Sequence, residues 1–252
     1  MPKQYRTSQV AAMMGVHPNT VRLYEDCEFI TKPQRLENGY RIFTDLHIAQ
    51  FQLARTALQV EVLQSGLRKQ IIDIIKLTAR CHFEEAITAT KQYISMIKTE
   101  QDNAEEALSI TKGLLGGTHE ELPELSLDRR QAANTLGVTI DTLRNWELNG
   151  LLCVKRKQNG YRIYTGEDIQ RLKIIRSLRC ANYSLAAILR MLNALSKNAE
   201  TDIRKAIDTP QINEDIVTVC DKLLTSLDGA ESNAKQMLSQ LRAMRDSDYG
   251  NR

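Results

Sequence analysis

Gly15-Val16-His17-Pro18-Asn19-Thr20-Val21-Arg22-Leu23-Tyr24-Glu25 returns later in the chain as Gly137-Val138-Thr139-Ile140-Asp141-Thr142-Leu143-Arg144-Asn145-Trp146-Glu147. Each copy is followed by Asn-Gly-Tyr-Arg-Ile-aromatic-Thr, Asn38 to Thr44 and Asn159 to Thr165. The displacement is 122 residues from Gly15 to Gly137 and 121 from Asn38 to Asn159. A displacement this nearly constant over two separate segments means one module present twice.

In the first copy Thr7 or Ser8 can cap a short helix through Val10, Ala11 and Met14, and Gly15 can end it. Pro18 suits the first position of a second helix, where its missing N–H costs nothing. Two short helices around a tight glycine turn predict a helix-turn-helix, whose second helix offers Asn19, Thr20 and Arg22 to a major groove. Asn38-Gly39, between Leu36 and the run Tyr40, Ile42, Phe43, predicts a two-stranded hairpin because both turn residues accept positive φ. Helical spacing resumes from Asp45 to Leu58 and from about Val62 to Ala79, a supporting pair behind the hairpin.

The second copy has Thr139 as a proper cap where the first has His17. Asn182 can turn left-handed between its supporting helices where the first copy has Glu61. Lys155-Arg156-Lys157 precedes its hairpin, and Asp141 would repel phosphate but could accept from a cytosine amino group. The two modules should therefore prefer different sequences.

Charge is segregated along the chain. Residues 1–82 carry 11 basic and 7 acidic side chains, and 123–209 carry 15 and 9. Residues 83–122 carry 3 and 8, and 210–252 carry 5 and 7. Both modules are basic and both intervening segments acidic, which suits modules that neutralise phosphates.

The acidic segments have helical seams. Ile87, Thr90, Ile94, Ile97, Gln101, Ala104, Leu108, Thr111 and Leu115 alternate spacings of three and four. So do Ile216, Cys220, Leu223, Leu227, Ala230, Ala234, Met237, Leu241 and Met244. A helix of 29 residues spans roughly 43 Å, and equal seam lengths invite the two helices to pair with each other. Gln101 and the two threonines would set register more than stability. The stretch from Gly113 to Leu125, with Gly116-Gly117 and Pro123, is suited to a linker.

Each copy resembles the DNA-binding domain of the MerR family of bacterial transcription regulators. The resemblance rests on Gly-Val, Thr, Arg and aromatic-Glu in the second helix, on the Asn-Gly-Tyr-Arg-Ile-aromatic-Thr segment, and on Asp168-Ile169 opening the supporting helices; it covers roughly 75 residues per copy. It implies a mainly α protein of two winged helix-turn-helix domains with short hairpin wings. It also implies two long helices paired as an antiparallel coiled coil, and action by distorting promoter DNA.

The domains expected are a first head at 1–82, a coil helix and linker at 83–122, a second head at 123–209, and a second coil helix and tail at 210–252. The DNA-binding residues expected are Thr20, Arg22, Tyr24, Tyr40 and Arg41 in the first head. In the second they are Thr142, Arg144, Asn145, Trp146, Lys155, Arg156, Lys157, Tyr161 and Arg162. Trp146 departs from the family's usual tyrosine and lacks its hydroxyl.

Double-stranded promoter DNA is the expected partner, with RNA polymerase at the same promoter. The protein would be either a single-chain pseudo-dimer, in which two unlike heads read two half-sites, or a homodimer. An inducer is left open and no cofactor is expected.

Other readings stand beside this one. The aliphatics from Ile71 to Leu77 could line a site in a ligand-sequestering protein, though at helical spacing they read more readily as core. An architectural DNA-binding role needs only charge and wings. His17, His47, His82 and His119 fall in no catalytic pattern, so an enzyme is not expected. Cys27, Cys81, Cys153, Cys180 and Cys220 are odd in number and dispersed, which favours free thiols and a cytoplasmic protein. Cys81-His82 is the one adjacent pair of soft ligands, and no apolar run reaches the roughly 18 residues of a membrane helix.

Overall fold

A computed structural model of the chain describes residues 3–60, 66–116, 125–156, 160–198, 200–209 and 222–247. In chain order the first half holds α1 (Thr7–Met14), α2 (Pro18–Asp26), β1 (Gln34–Arg35), β2 (Arg41–Ile42), α3 (Asp45–Ala57), α4 (Leu67–Ala79) and α5 (Phe83–Gly116). There follow α6 (Arg129–Leu136), α7 (Ile140–Leu148), β3 (Lys155–Arg156), β4 (Arg162–Ile163), α8 (Gly166–Cys180), α9 (Leu185–Lys197), α10 (Ile203–Asp208) and α11 (Leu223–Asp246). The fold is mainly α, with one small antiparallel hairpin in each copy.

The chain divides into two compact units, Met1–Thr99 with Ser226–Arg252, and Glu100–Thr225. The division falls inside both long helices, α5 and α11. No helix among the described residues is long and apolar enough to cross a membrane.

The helix-turn-helix forms in both copies for the same local reasons. Gly15 and Gly137 end α1 and α6 at φ 63° and 61°, a left-handed turn that a glycine adopts without strain. Pro18 occupies the first turn of α2. Two capping expectations are corrected. Thr7 is the first helical residue and Arg6 the extended cap, whose N–H donates to Gln9 Oε1 at 2.8 Å. His17 also caps: its Nδ1 accepts from Asn19 N–H at 3.2 Å, as Thr139 Oγ1 accepts from Thr142 N–H at 3.1 Å.

In the first wing Gln34 faces Ile42 and Arg35 faces Arg41. The loop is one residue longer than the two-residue turn that Asn-Gly alone suggests. Gly39 takes φ 81° while Asn38 stays out of the left-handed region. Leu36 N–H donates to Tyr40 C=O at 2.9 Å and Gly39 N–H to Leu36 C=O at 2.8 Å, which makes a three-residue loop ending in a left-handed glycine.

In the second wing Lys155 faces Ile163 and Arg156 faces Arg162. Lys155-Arg156 is therefore the strand itself and not a segment ahead of it. Lys157 and Asn159 lie outside the described residues, as do Glu61, His119, Ile216 and Cys220. The base of each wing is sewn to the segment before the first helix, Tyr5 to Phe43 and Leu127 to Tyr164, through paired backbone hydrogen bonds of 2.8 to 3.0 Å.

The first head packs Val10, Ala11, Met14, Val21, Ile30, Phe43, Ile48 and Phe51 into one core. Ile71, Ile74 and Ile75 of α4 are buried, which gives that aliphatic run a packing role. The second head buries Leu136, Leu143, Leu151, Tyr164, Leu172, Ile175 and Leu178. Asn182 takes φ 67° between α8 and α9, as expected. Cys81 Sγ lies 3.9 Å from both Thr31 Oγ1 and Gln50 Nε2, whereas His82 pairs with Glu85 at 3.4 Å, so this adjacent pair faces different neighbours.

Both long helices bury the seams read from their spacing. Ile87, Thr90, Ile97, Ala104, Leu108 and Thr111 of α5 are buried, as are Leu223, Leu227, Ala230, Ala234, Met237, Leu241 and Met244 of α11. Leu115 is a correction: it is 43% exposed, one residue past the half-buried Leu114. The Thr90 and Thr111 hydroxyls donate to Ala86 C=O at 2.7 Å and Ala107 C=O at 2.8 Å, within their own helix.

Within the first unit Arg245 of α11 pairs with Glu84 of α5 at 3.1 Å, the end of one helix beside the start of the other. Within the second unit Asn182 donates to Glu100 at 3.0 Å and Arg204 pairs with Glu105 at 2.6 Å, along the later part of α5.

Candidate nucleic-acid interface

The second helix of each copy has one side in the core and one in water. Val21 of α2 and Leu143 of α7 are buried. Away from them Asn19, Arg22, Leu23 and Asp26 are all exposed, at the i, i+3, i+4, i+7 spacing of a single helix face. In α7 the same register holds Asp141, Arg144, Asn145 and Leu148, also exposed.

Thr20 and Thr142 flank these stripes, half-buried. Arg22 Nη1 donates to Asn19 Oδ1 at 3.2 Å, and Thr142 Oγ1 lies 2.8 Å from Thr139 Oγ1. Asn149 Nδ2 donates to Asn145 C=O at 2.8 Å and lies 3.4 Å from Asn145 Oδ1.

The aromatic residues of these helices sit on the other side. Trp146 is 4% exposed, a correction to its reading as a groove contact. The reason is spacing: position 146 is three beyond Leu143, on the buried face. Tyr24, three beyond Val21, is half-buried, stacked on Phe51 with centroids 4.1 Å apart and edge-on to Phe29 at 5.7 Å. Burial raises its phenol pKa ahead of the opposing charge of Arg55. Both rings anchor the helix to its domain.

Next to each ring is a glutamate that holds the wing. The Glu25 and Glu147 carboxylates are only 8% and 9% exposed. Arg41 Nε donates to Glu25, with Arg35 3.7 Å away. Arg162 Nε lies 2.6 Å from Glu147, which also takes Arg129 at 2.9 Å and the Tyr164 hydroxyl. Hydrogen bonding to Tyr164 raises the Arg129 pKa further, and burial raises that of Tyr164.

A carboxylate this buried is tolerable only because two cations and, in the second head, a hydroxyl compensate it. Arg41 and Arg162, expected on the phosphate backbone, thus have their Nε committed to fixing the wing against the helix. The wing tips remain open to a partner, with Tyr40 66% and Tyr161 72% exposed. Lys155 and Arg156 are exposed on β3, and Arg156 donates to Gly160 C=O at 3.4 Å.

Arg176 and Arg179 were not among the expected contacts. They line a cleft with Thr139, Asp141, Thr142 and Asn145 at the start of α7. The repeat itself carried the signal, since Arg55 stands 121 residues before Arg176, the displacement of the wings. In the first copy that arginine, Arg55, donates from Nη1 to Met14 C=O at the end of α1.

The start of the helix after each wing differs between the copies. Asp168 Oδ2 accepts from Thr165 N–H at 2.9 Å. At the matching place His47 Nδ1 accepts from Thr44 N–H at 3.0 Å, and burial holds the His47 pKa below the usual value.

Two stretches of the chain match family models, residues 6–43 that of the MerR family regulatory protein and residues 129–195 that of the MerR HTH family regulatory protein. The HTH-type transcriptional regulator CueR of Escherichia coli is 42% identical over 53 residues, 21% of this chain and 39% of that protein. The HTH-type transcriptional regulator AdhR of Bacillus subtilis is 37% identical over 79 residues, 31% of this chain and 56% of its own. The nodulation protein NolA of a Bradyrhizobium species is 41% identical over 64 residues, 25% of this chain and 27% of its own. The chain thus spans about two-fifths of the CueR length and rather more than half of AdhR. No solved structure matches the chain.

Proposed function

We propose that this chain is a sequence-specific, DNA-binding transcription regulator of the MerR type, whose two unlike winged helix-turn-helix heads, each in a stretch that matches a MerR family model, read one half-site each. The observation that carries this reading is the exposed stripe, present in both copies at the same register beside an anchored wing. Arginine is common to both stripes and the other positions differ, which suits two different half-sequences. Arg144 and Asn145, with Arg22 and Thr20 in the first head, face base edges. Lys155, Arg156, Arg176 and the wing-tip tyrosines meet the backbone.

A single chain acts as the pseudo-dimer. The antiparallel approach of α11 to the start of α5, marked by Arg245 and Glu84, supports pairing of the coil helices within one chain. Reading both half-sites at once acts by distorting promoter DNA whose half-sites are not already placed to suit both heads. Promoter DNA in the cytoplasm is the partner, with RNA polymerase the second occupant of the same promoter.

Selection from random duplexes, with the mass of the complex measured alongside, tests this. The expected result is one enriched site of two dissimilar halves, bound by one chain of 28.6 kDa. A symmetric site bound by two chains would replace the architecture and keep the regulator. Failure to enrich any duplex would end the proposal.

A further inference from the structure

Leu23 is 55% exposed in the second turn of α2. A lone surface leucine is ordinary. This one shares its helix face with Asn19, Arg22 and Asp26, all exposed, on the side away from the buried Val21. The second copy preserves the frame and changes the chemistry: Arg144 matches Arg22, and Asn145 stands where Leu23 does.

Resting on the DNA-reading role above, we propose that this register position distinguishes the two half-sites. In the first head Leu23 packs against the 5-methyl group of a thymine, and in the second Asn145 hydrogen-bonds an adenine.

The chemistry supports that assignment. In the major groove thymine alone offers a methyl group and adenine alone offers an N7 acceptor beside an N6 donor. An aliphatic side chain satisfies the first and a carboxamide the second. The arginine that precedes each is the same, so the discrimination between heads falls on its neighbour.

Position within the helix matters as well. The early turns of a recognition helix enter the groove. Leu148 is 76% exposed but closes the last turn of α7, and Asp26 stands at its register in α2. Thr20 also carries a methyl group, but it lies half-buried beside the stripe. The thymine contact therefore falls to Leu23.

The test uses the full chain and its selected duplex, with each thymine replaced in turn by deoxyuridine, which lacks only the methyl group. One uridine in the first head's half-site should weaken binding about fourfold, the equivalent of one methyl group returned to water. Leu23→Asn should abolish that sensitivity and move the selected base at the same position to adenine. Asn145→Leu should do the reverse in the other half-site and create a new uridine sensitivity there.

Leu23→Asn retaining the original uridine sensitivity would overturn the proposal, as would a wild-type chain indifferent to uridine at every position. Wild-type protein that selects no duplex at all would instead remove the DNA-reading role on which the proposal rests. Both substitutions are at exposed positions, so folding is not at stake.

Discussion

An indole three residues beyond Leu143 must share the buried face of α7, and that spacing decides what Trp146 does. Trp146→Ala should cost about 3–5 kcal/mol of stability, as large-to-small core changes do, measured by urea unfolding. Trp146 is also the one tryptophan in the chain, so its emission reports on that core directly. It should be blue-shifted, move to the red on unfolding and keep its maximum when duplex is added. A maximum that shifts on DNA binding would return the ring to the interface.

Glu147 offers a sharper contrast between positioning and direct contact. Removing a negative charge beside DNA ordinarily strengthens binding. Glu147→Gln should instead weaken it, by about tenfold, because Arg162, Arg129 and Tyr164 lose the carboxylate that fixes the wing, and breaking a buried pair leaves unpaired charge. Tighter binding by the glutamine variant would rule out the wing-holding role. Arg176→Ala, at a proposed backbone contact, should reduce the slope of log K against log salt by about 0.9; an unchanged slope would remove Arg176 from the interface. The second helices with their exposed arginines, Arg22 and Arg144, and the two wings were all legible in the repeat. The glutamate anchors were not, because a carboxylate in a basic module looks like a solvated charge until burial shows what surrounds it.

At the scale of elements, the helix behind each wing is capped by different chemistry. Asp168 and His47 both accept from the backbone, but only histidine changes its capacity near neutral pH. His47 is buried, and its pKa lies below the ordinary value of 6.5. The native state therefore favours neutral imidazole, whose Nδ1 can accept, while the unfolded chain takes up a proton from about pH 6.5 downward. Its contribution is complete above that pH and falls away as pH drops from there through the folded pKa, at a slope of at most about 1.4 kcal/mol per pH unit. Thermal unfolding between pH 7.5 and 5 should show this loss in the wild type and less of it in His47→Gln. Curves that stay parallel would show that the cap does not titrate. The long helices make a second claim at this scale. Leu241 of α11 is buried in the unit that holds the first head. Leu241→Ala should cost about 2–5 kcal/mol and release the first head's half-site before the second's, as read by footprinting. Equal loss at both half-sites would separate α11 from the first head.

For the whole molecule, the first unit is made from pieces distant in sequence, residues up to Thr99 with those from Ser226 onward, whereas the second is one continuous stretch, Glu100–Thr225. A protein built this way needs α11 to complete its first half. One chain with two unlike heads should prefer an asymmetric operator, and a duplex carrying the first half-site twice in inverted repeat should bind more weakly than the mixed site. The typical cost of a mismatched base pair, about 1–3 kcal/mol, sets the scale for each position at which the heads disagree. Equal affinity for the doubled and mixed sites would mean that two chains supply two identical heads.

Sequence by itself determined that one module occurs twice, that each module is a winged helix-turn-helix, and that the acidic segments are helices with apolar seams. These follow from local rules: a glycine that turns left-handed, a proline that starts a helix, and spacings of three and four that repeat whatever the surroundings. Only the tertiary structure decided what each side chain at those positions meets. It committed Arg41 and Arg162 to buried glutamates and brought Arg176 to the start of α7. Ion pairing depends on residues far apart in the chain, and spacing within one helix carries no information about it.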